Sequence, residues 1–414
     1  MIFTKIRIKN LYCFEDTELD LTYPKKIIDS NIEHEYLDDR APNFRFKRLC
    51  IISGANASGK TSFGKVLLQI TNVIYKGRIF TEQNKWSISN DQLPAEVEVE
   101  FVFPTAKQLK FRTFVLKIEN GIYNFQYAEV PINKADSVES CRAKISRLME
   151  TKKDRGKYKY LDNIEKGMYH DKWDELYTLL SVSDGISNAV WTYDISYIVG
   201  DYDTKSRFID HENIGYTKVL SNVLKTFDPS IKKVTEIFEL DENNNAKVKG
   251  YKIYFPNEKY CTLDENGLLD SKYAFLFSKG THQAISVAGF THQLIEQMKF
   301  SDASGVFFLD EQMSYSHTDL EREMVNLLAQ KTNRYSQFFY TTHNYDIFEM
   351  AFPLHSFVFL KRSEDQGPQF IWADAVCNKN DRNILNYVKN NYFNTIPDVS
   401  LLDEILWGQD GEDS

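Results

Sequence analysis

The sequence predicts an α/β protein, a mixed sheet with an antiparallel β meander interrupted by a helical insertion. Three observations carry this. An apolar run, Leu49-Cys50-Ile51-Ile52-Ser53, leads through a glycine-rich loop into residues 62–75, which have helical apolar spacing. Residues 95–130 alternate apolar and polar side chains, as a half-buried antiparallel sheet requires. A charged stretch with helical spacing, 133–225, then separates this first half from a second half built of further strands and helices.

In chain order, residues 2–8 and 17–21 alternate as two strands joined by a turn through 10–15, and the polar residues 25–47 read as a surface loop. The meander runs through Val97, Val99, Phe101 and Phe103, then Phe111, Phe114, Leu116 and Ile118, and turns at Asn120-Gly121. Beyond the charged block, 234–240 and 250–255 read as strands around the polar loop 241–245. A helix over 280–298, a buried strand at 306–309, a helix over 318–330 and a strand at 337–340 complete the pattern.

A chain of 414 residues with 42 % hydrophobic and 26 % charged residues can bury a full core. Its net charge of −9 repels nucleic-acid phosphate overall, so contact with nucleic acid would need a local basic patch. No apolar run approaches the roughly 20 residues that span a bilayer, and the opening residues alternate like a strand instead of forming a signal-peptide core. The expectation is a cytoplasmic protein with no membrane partner. Cys13, Cys50, Cys141, Cys261 and Cys377 are scattered, without a C-x-x-C pair, which argues against both a disulfide framework and a zinc site.

The chemistry lies in four segments. Gly54-Ala55-Asn56-Ala57-Ser58-Gly59-Lys60-Thr61 matches the phosphate-binding P-loop pattern in full, and Ser62 extends it. Glycines let successive N–H groups face phosphates at a helix N-terminus; Lys60 would reach the β and γ phosphates of ATP, and the Thr61 hydroxyl would bind Mg2+. Far downstream, Gly305 to Leu309 is an apolar strand ending in Asp310-Glu311. Asp310 would support the metal and Glu311 would polarise the attacking water. At the end of the next strand, His343 in Thr341-Thr342-His343-Asn344 is positioned to sense the γ-phosphate. Ser278-Lys279-Gly280-Thr281 precedes a helix and reads either as an ordinary N-cap or as an anion site closing on another subunit's γ-phosphate.

Together with Ile6 to Phe14, Phe227-Asp228-Pro229-Ser230-Ile231 and His317, these segments resemble the ABC-type P-loop ATPases of the AAA family related to the overcoming-lysogenization-defect (OLD) nucleases and, more distantly, the SMC and double-strand-break repair ATPases. The resemblance implies an ATPase lobe in two halves, 1–132 and 234–375, around a helical lid or insertion at 133–233, with a C-terminal tail at 376–414. It also implies a head-to-tail dimer, or a higher even oligomer, in which each ATP meets the P-loop of one subunit and Ser278, Lys279, Gly280 and Thr281 of the other. The catalytic set is then Lys60, Glu311 and His343. The sequence departs from the pattern in two places. Lys279 stands where many ABC proteins have glycine, and the glutamine that usually links the metal to the helical lobe is not obvious, with Gln126 the candidate. Both departures point to slow hydrolysis.

Only about 70 residues follow His343, too few for the nuclease domain that OLD nucleases carry. This suggests a regulatory or sensor ATPase of an antiphage system acting on a separately encoded effector such as a nuclease. The alternatives are a repair-type ATPase that processes DNA ends or structures, and an ATPase serving a metabolic or transport partner. For DNA, the candidate surface is residues 142–159, where eight Lys and Arg face only Glu150 and Asp154, with Tyr158 and Tyr160 available for stacking. The bland reading of the same residues, which comes first, is a solvated helix face and loop. The apolar turn 401–407 and the acidic end after it read as a segment packed on its own body or as a docking peptide.

Overall fold

Alternating residues at the start of the chain form β1 (Ile2–Leu11), which turns back as β2 (Phe14–Asp20), with Asn10 and Tyr12 at positive φ in the tight connection. The computed structural model describes residues 1–27, 30–76, 86–103, 109–154, 156–163, 196–198, 215–240, 242, 244–265, 267–297, 305–363, 367–377, 384–396 and 402. There follow β3 (Leu49–Ser53), α1 (Lys60–Lys76), β4 (Ala95–Val102), β5 (Lys110–Glu119), β6 (Ile122–Pro131), α2 (Val138–Thr151), β7 (Lys159–Asn163) and β8 (Ser196–Ile198). The second half holds α3 (Tyr216–Phe227), β9 (Lys233–Leu240), β10 (Ala246–Tyr254), β11 (Tyr260–Asp264), α4 (Lys279–Gln297), β12 (Val306–Asp310) and α5 (Thr318–Lys331). It ends with β13 (Gln337–Thr342), β14 (Phe357–Ser363), β15 (Gly367–Trp372), α6 (Ala373–Val376) and α7 (Ile384–Lys389).

The fold is mixed α/β with three sheets. The antiparallel meander extends to six strands in the order β2-β1-β4-β5-β6-β7 and is a sheet of its own, not part of the sheet that carries the P-loop. That second sheet has the order β15-β14-β3-β13-β12-β8; its ladders are parallel except for the β14–β15 hairpin. Helix α1 lies between the two sheets: Phe63, Val66, Leu67 and Ile70 pack in one core with Ile6, Ile8, Val97 and Leu116 on one side and Cys50, Ile52, Phe308 and Phe339 on the other. The far face of the second sheet buries Leu49, Ile51, Phe307 and Tyr340 against α4, α5 and α7. The third sheet, β11-β10-β9, packs on α3 and α4.

The stretch expected to be wholly helical, 133–225, is helical at α2 and α3 but also supplies β7 to the edge of the meander and β8 to the edge of the parallel sheet. Short edge strands carry too few residues for alternation to register in sequence. The rest of the lid, 164–195 and 199–214, lies outside the described residues, as does the tail beyond Ile396 apart from Leu402. Residues 25–47, expected as a surface loop, instead form a strap that buries Leu37, Ala41, Phe44 and Phe46 against α2 and the meander. All five cysteines carry free thiols. No described helix is long and apolar enough to cross a membrane.

Phe63 fastens α1 to the parallel sheet. Fully buried, it meets the rings of Phe308, Phe339 and Phe370 at centroid distances of 6.1, 6.2 and 5.0 Å. Phe63→Ala should cost about 3–5 kcal/mol, because the contacts of α1 with rings on β12, β13 and β15 are lost and the parallel sheet cannot follow the missing ring. Urea unfolding checks this, with a lower midpoint and an unchanged slope.

Candidate active site

The loop between β3 and α1 is held tightly. A Cβ on Gly54 would stand 2.6 Å from both the Leu360 carbonyl oxygen and the Ser58 Oγ. Gly59 has φ +109°, and a Cβ there would lie 2.7 Å from the Cys13 Sγ. Larger residues fit at neither position without moving backbone or neighbours. Ala57 also takes a positive φ, and Ser62 bonds the Cys13 thiol. Lys60 opens α1, is buried, and folds its ammonium back over the loop, donating to the carbonyls of Gly54 (3.1 Å) and Ala55 (3.2 Å). The Ser58 hydroxyl is buried with no hydrogen-bond partner among the described residues.

The parallel ladders bring the other expected residues to this loop. Thr61 donates to Asp310 Oδ2 at 2.6 Å, and Thr341 donates to Asp310 Oδ1 at 2.6 Å, so both carboxylate oxygens are fixed. Glu311 has φ +50°, a left-handed conformation unusual for a residue with a Cβ. Its N–H bonds the Thr341 hydroxyl at 3.1 Å, and its carboxylate turns back to Lys60 (3.3 Å) and to His343 Nε2 (2.8 Å). Lys60, Thr61, Asp310, Glu311 and His343 thus form one connected cluster.

Charge is tuned within the cluster. Burial pushes the Asp310 carboxyl above its ordinary range, against the bonds from Thr341 and Thr61. Burial also works to raise Glu311, but the bond from His343 and the charge of Lys60 outweigh it and hold this carboxyl low. Burial lowers Lys60, with Glu311 opposing. Two neighbouring carboxyls are driven in opposite directions, an arrangement found where two acids have separate tasks.

Beneath the cluster, buried Glu321 of α5 accepts from the Tyr340 hydroxyl (2.5 Å), the Thr342 hydroxyl (2.7 Å) and the Asn344 amide (2.8 Å). These residues flank His343, so one carboxylate fixes the turn that aims the histidine. Neither Glu321 nor Thr341 stands out in sequence; an acid in a helix and a threonine in a strand are ordinary there.

Ser278 caps α4, accepting from the Thr281 N–H at 3.1 Å, while the Thr281 hydroxyl donates to Asp228 at 3.0 Å. Gly280 is close-packed, its missing Cβ 3.0 Å from the Tyr315 carbonyl, and the Lys279 ammonium lies 4.8 Å from the Tyr315 ring centre. One turn on, Gln283 donates to the Glu311 carbonyl and the Ser314 hydroxyl, both at 3.3 Å, and accepts from the Tyr315 N–H. The Ser278 segment is therefore tied to the Asp310-Glu311 turn within one chain.

Gln126, the candidate link to the metal, is not brought to this cluster. It sits inside β6, in register with Val115 and Asp162. Phe125 and Tyr127 on either side enter the core against α1, so Gln126 points to the opposite face of the meander. Side chains alternate along a strand, and a mid-strand glutamine cannot serve the face of its neighbours. Residues 142–159 are partly neutralised by ion pairs. Arg142 bonds Glu100 (2.7 Å) and Asp20 (3.0 Å), Lys144 pairs with Asp136, Lys159 with Asp154 (2.9 Å), and the Tyr160 hydroxyl bonds Asp162 (3.1 Å). Arg147, Lys152, Lys153 and Lys157 stay exposed, and Arg155 lies outside the described residues.

No protein-family model matches the chain, and no curated protein matches it. Among solved structures, an SMC head bound to the C-winged helix domain of ScpA aligns over 91 % of this chain and 100 % of its own, with 13 % identity and a TM-score of 0.46.

Because Glu311 is held below its unfolded value, its contacts add stability above pH ~4.3 and lose it as pH falls through the folded value. His343→Ala should therefore unfold more easily than wild type at pH 7, with the difference shrinking below about pH 4. Urea midpoints across that range test this; a pH-independent difference would show that the pair does not govern Glu311.

Proposed function

We propose that this chain is a magnesium-dependent ABC-type ATPase whose subunits pair head to tail around ATP. The observation that carries it is the convergence on the P-loop of Asp310, bonded to Thr61, and Glu311, bonded to Lys60 and His343. The residues fit the cofactor and substrate. The buried, unpaired Ser58 hydroxyl and the close-packed glycines suit a phosphate cradle. Among the described residues no three His, Cys, Asp or Glu side chains converge as a metal cage. A single carboxylate and a hydroxyl, completed by phosphate oxygens, match the usual binding of Mg2+. Thr61 and Asp310 would hold the ion, which when bound neutralises charge on the phosphate oxygens.

In this reading Lys60 exchanges its present partners for the β and γ phosphates, and Glu311 orients and deprotonates the attacking water. His343 keeps Glu311 ionised and in place. Ser278, Lys279, Gly280 and Thr281 close on the ATP of the partner subunit. The resemblance to the OLD-related ATPases extends the proposal to a sensor or regulatory subunit of a bacterial antiphage system, with ATP-dependent closure controlling a separately encoded effector such as a nuclease. The DNA-processing alternative rests on residues 142–159, where internal ion pairs of Arg142, Lys144 and Lys159 reduce the free charge.

Three substitutions separate the steps. Lys60→Ala should abolish ATP binding. Glu311→Gln should bind ATP, lose turnover by at least about 100-fold and accumulate as a closed dimer. Ser278→Arg should bind ATP as a monomer without closing. Nucleotide titration, phosphate release and light-scattering mass read these outcomes; wild-type turnover in Glu311→Gln would remove Glu311 as the water activator.

A further inference from the structure

The segment after α7 returns to the P-loop. Its path is set by three anchors. Phe393, 1 % exposed, stacks flat on Phe359 of β14, with centroids 3.7 Å apart and planes 11° from parallel. Asn391 and Asn394 take left-handed backbone conformations that reverse the chain, and asparagine tolerates this better than most residues. The Asn391 side chain then closes the turn by accepting from the Ile396 N–H at 3.0 Å. Thr395 is delivered to a pocket of about 240 Å³ lined by Gly54, Ala55, Asn56, His343 and Tyr345.

Thr395 is 3 % exposed, and its hydroxyl oxygen is buried with no hydrogen-bond partner among the described residues. A buried hydroxyl left unpaired is unfavourable, so one facing a ligand pocket points to a ligand atom as its partner. The pocket lies between the first half of the phosphate loop and His343, whose own partner is the water-orienting Glu311. The group expected between these elements is the terminal phosphate, an acceptor for a hydroxyl donor. None of the motifs that define the site in sequence includes this residue, which follows His343 by some fifty positions.

We propose that Thr395 is a nucleotide-contacting residue, its hydroxyl donating to the terminal phosphate of ATP from a strap held on the parallel sheet by Phe393. The strap then distinguishes ATP from ADP, because only ATP places an acceptor at that point. This rests on the ATPase reading and adds a fourth direction of contact to the phosphate, beside Lys60, the loop amides and the partner's Ser278 segment.

The test measures ATP and ADP affinity by calorimetry for Thr395→Val and Thr395→Ser, each in the Glu311→Gln background so that ATP persists. Thr395→Val keeps the shape and removes the hydroxyl. It should weaken ATP about tenfold while changing ADP less than about twofold, and Thr395→Ser should restore ATP affinity. Without nucleotide, Thr395→Val should melt no lower than its parent, since it replaces an unpaired polar atom by a methyl. Equal losses for ATP and ADP, no loss for either, or a lower melting temperature without nucleotide would each overturn the proposal. Failure of the parent itself to bind ATP would instead overturn the ATPase reading, and the Thr395 contact with it.

Discussion

The parallel register of β3, β13 and β12 is the constraint on which the rest of the molecule depends. Ser53 stands opposite Thr342, and Thr341 opposite Asp310, so the three strands end at one edge of the sheet. The loop beginning at Gly54, the turn carrying His343 and the turn carrying Glu311 therefore leave the sheet side by side. Ligands of open parallel sheets gather at the carboxyl ends of the strands for this reason. The register is protected by burial on both faces: all five residues of β3, all five of β12 and all six of β13 are buried, so no strand can slide without breaking the packing of α1 on one side and α4 and α5 on the other.

Glu311 shows what this register costs locally. Its left-handed backbone carries strain of order 1–3 kcal/mol, and three contacts hold it there: the Thr341 hydroxyl on its N–H, the Gln283 amide on its carbonyl, and the Lys60–His343 pair on its carboxylate. The strained turn is what directs the carboxylate back toward the P-loop. On the proposed reading, an arriving terminal phosphate competes with Glu311 for the Lys60 ammonium. The carboxylate would then keep His343 as its fixed partner and present its remaining acceptor capacity to water.

Much of this was legible in the sequence, and for identifiable reasons. The P-loop is a contiguous pattern whose residues each answer a geometric need, and the strand ending in Asp310-Glu311 announces itself by four apolar residues meeting two acids. The ladder partners are harder. Thr341 and Glu321 act through contacts across 31 and 21 positions, and neither residue type is unusual in its element. Gln126 is harder to place because alternation identifies the meander without saying which of its two faces a given residue takes. Counting charge within 142–159 overstates what is free there, because the carboxylate partners Asp20, Glu100 and Asp136 lie outside the run. Charge counted along the chain does not see ion pairs made across it. The buried strap at 25–47 escaped for a similar reason: Leu37, Phe44 and Phe46 are too irregularly spaced for either period, and only the surface of α2 and the meander makes them core.

Gln283 gives the two halves of the proposed cycle a common part. The segment expected to meet the partner's ATP begins α4, and Gln283, within the first turn and a half of that helix, bridges the Glu311 carbonyl and the Tyr315 N–H. On the proposed reading, a displacement of the α4 N-terminus would reach the carbonyl of Glu311 through one amide. Any free-energy coupling between the two ends is reciprocal: if closure on the partner's ATP repositions Glu311, then ATP held by Lys60 beside Glu311 favours the closed arrangement of Ser278 to the same degree. In the proposed head-to-tail pair each chain carries one such amide, so the turn at each Glu311 would be linked to closure on the partner's ATP.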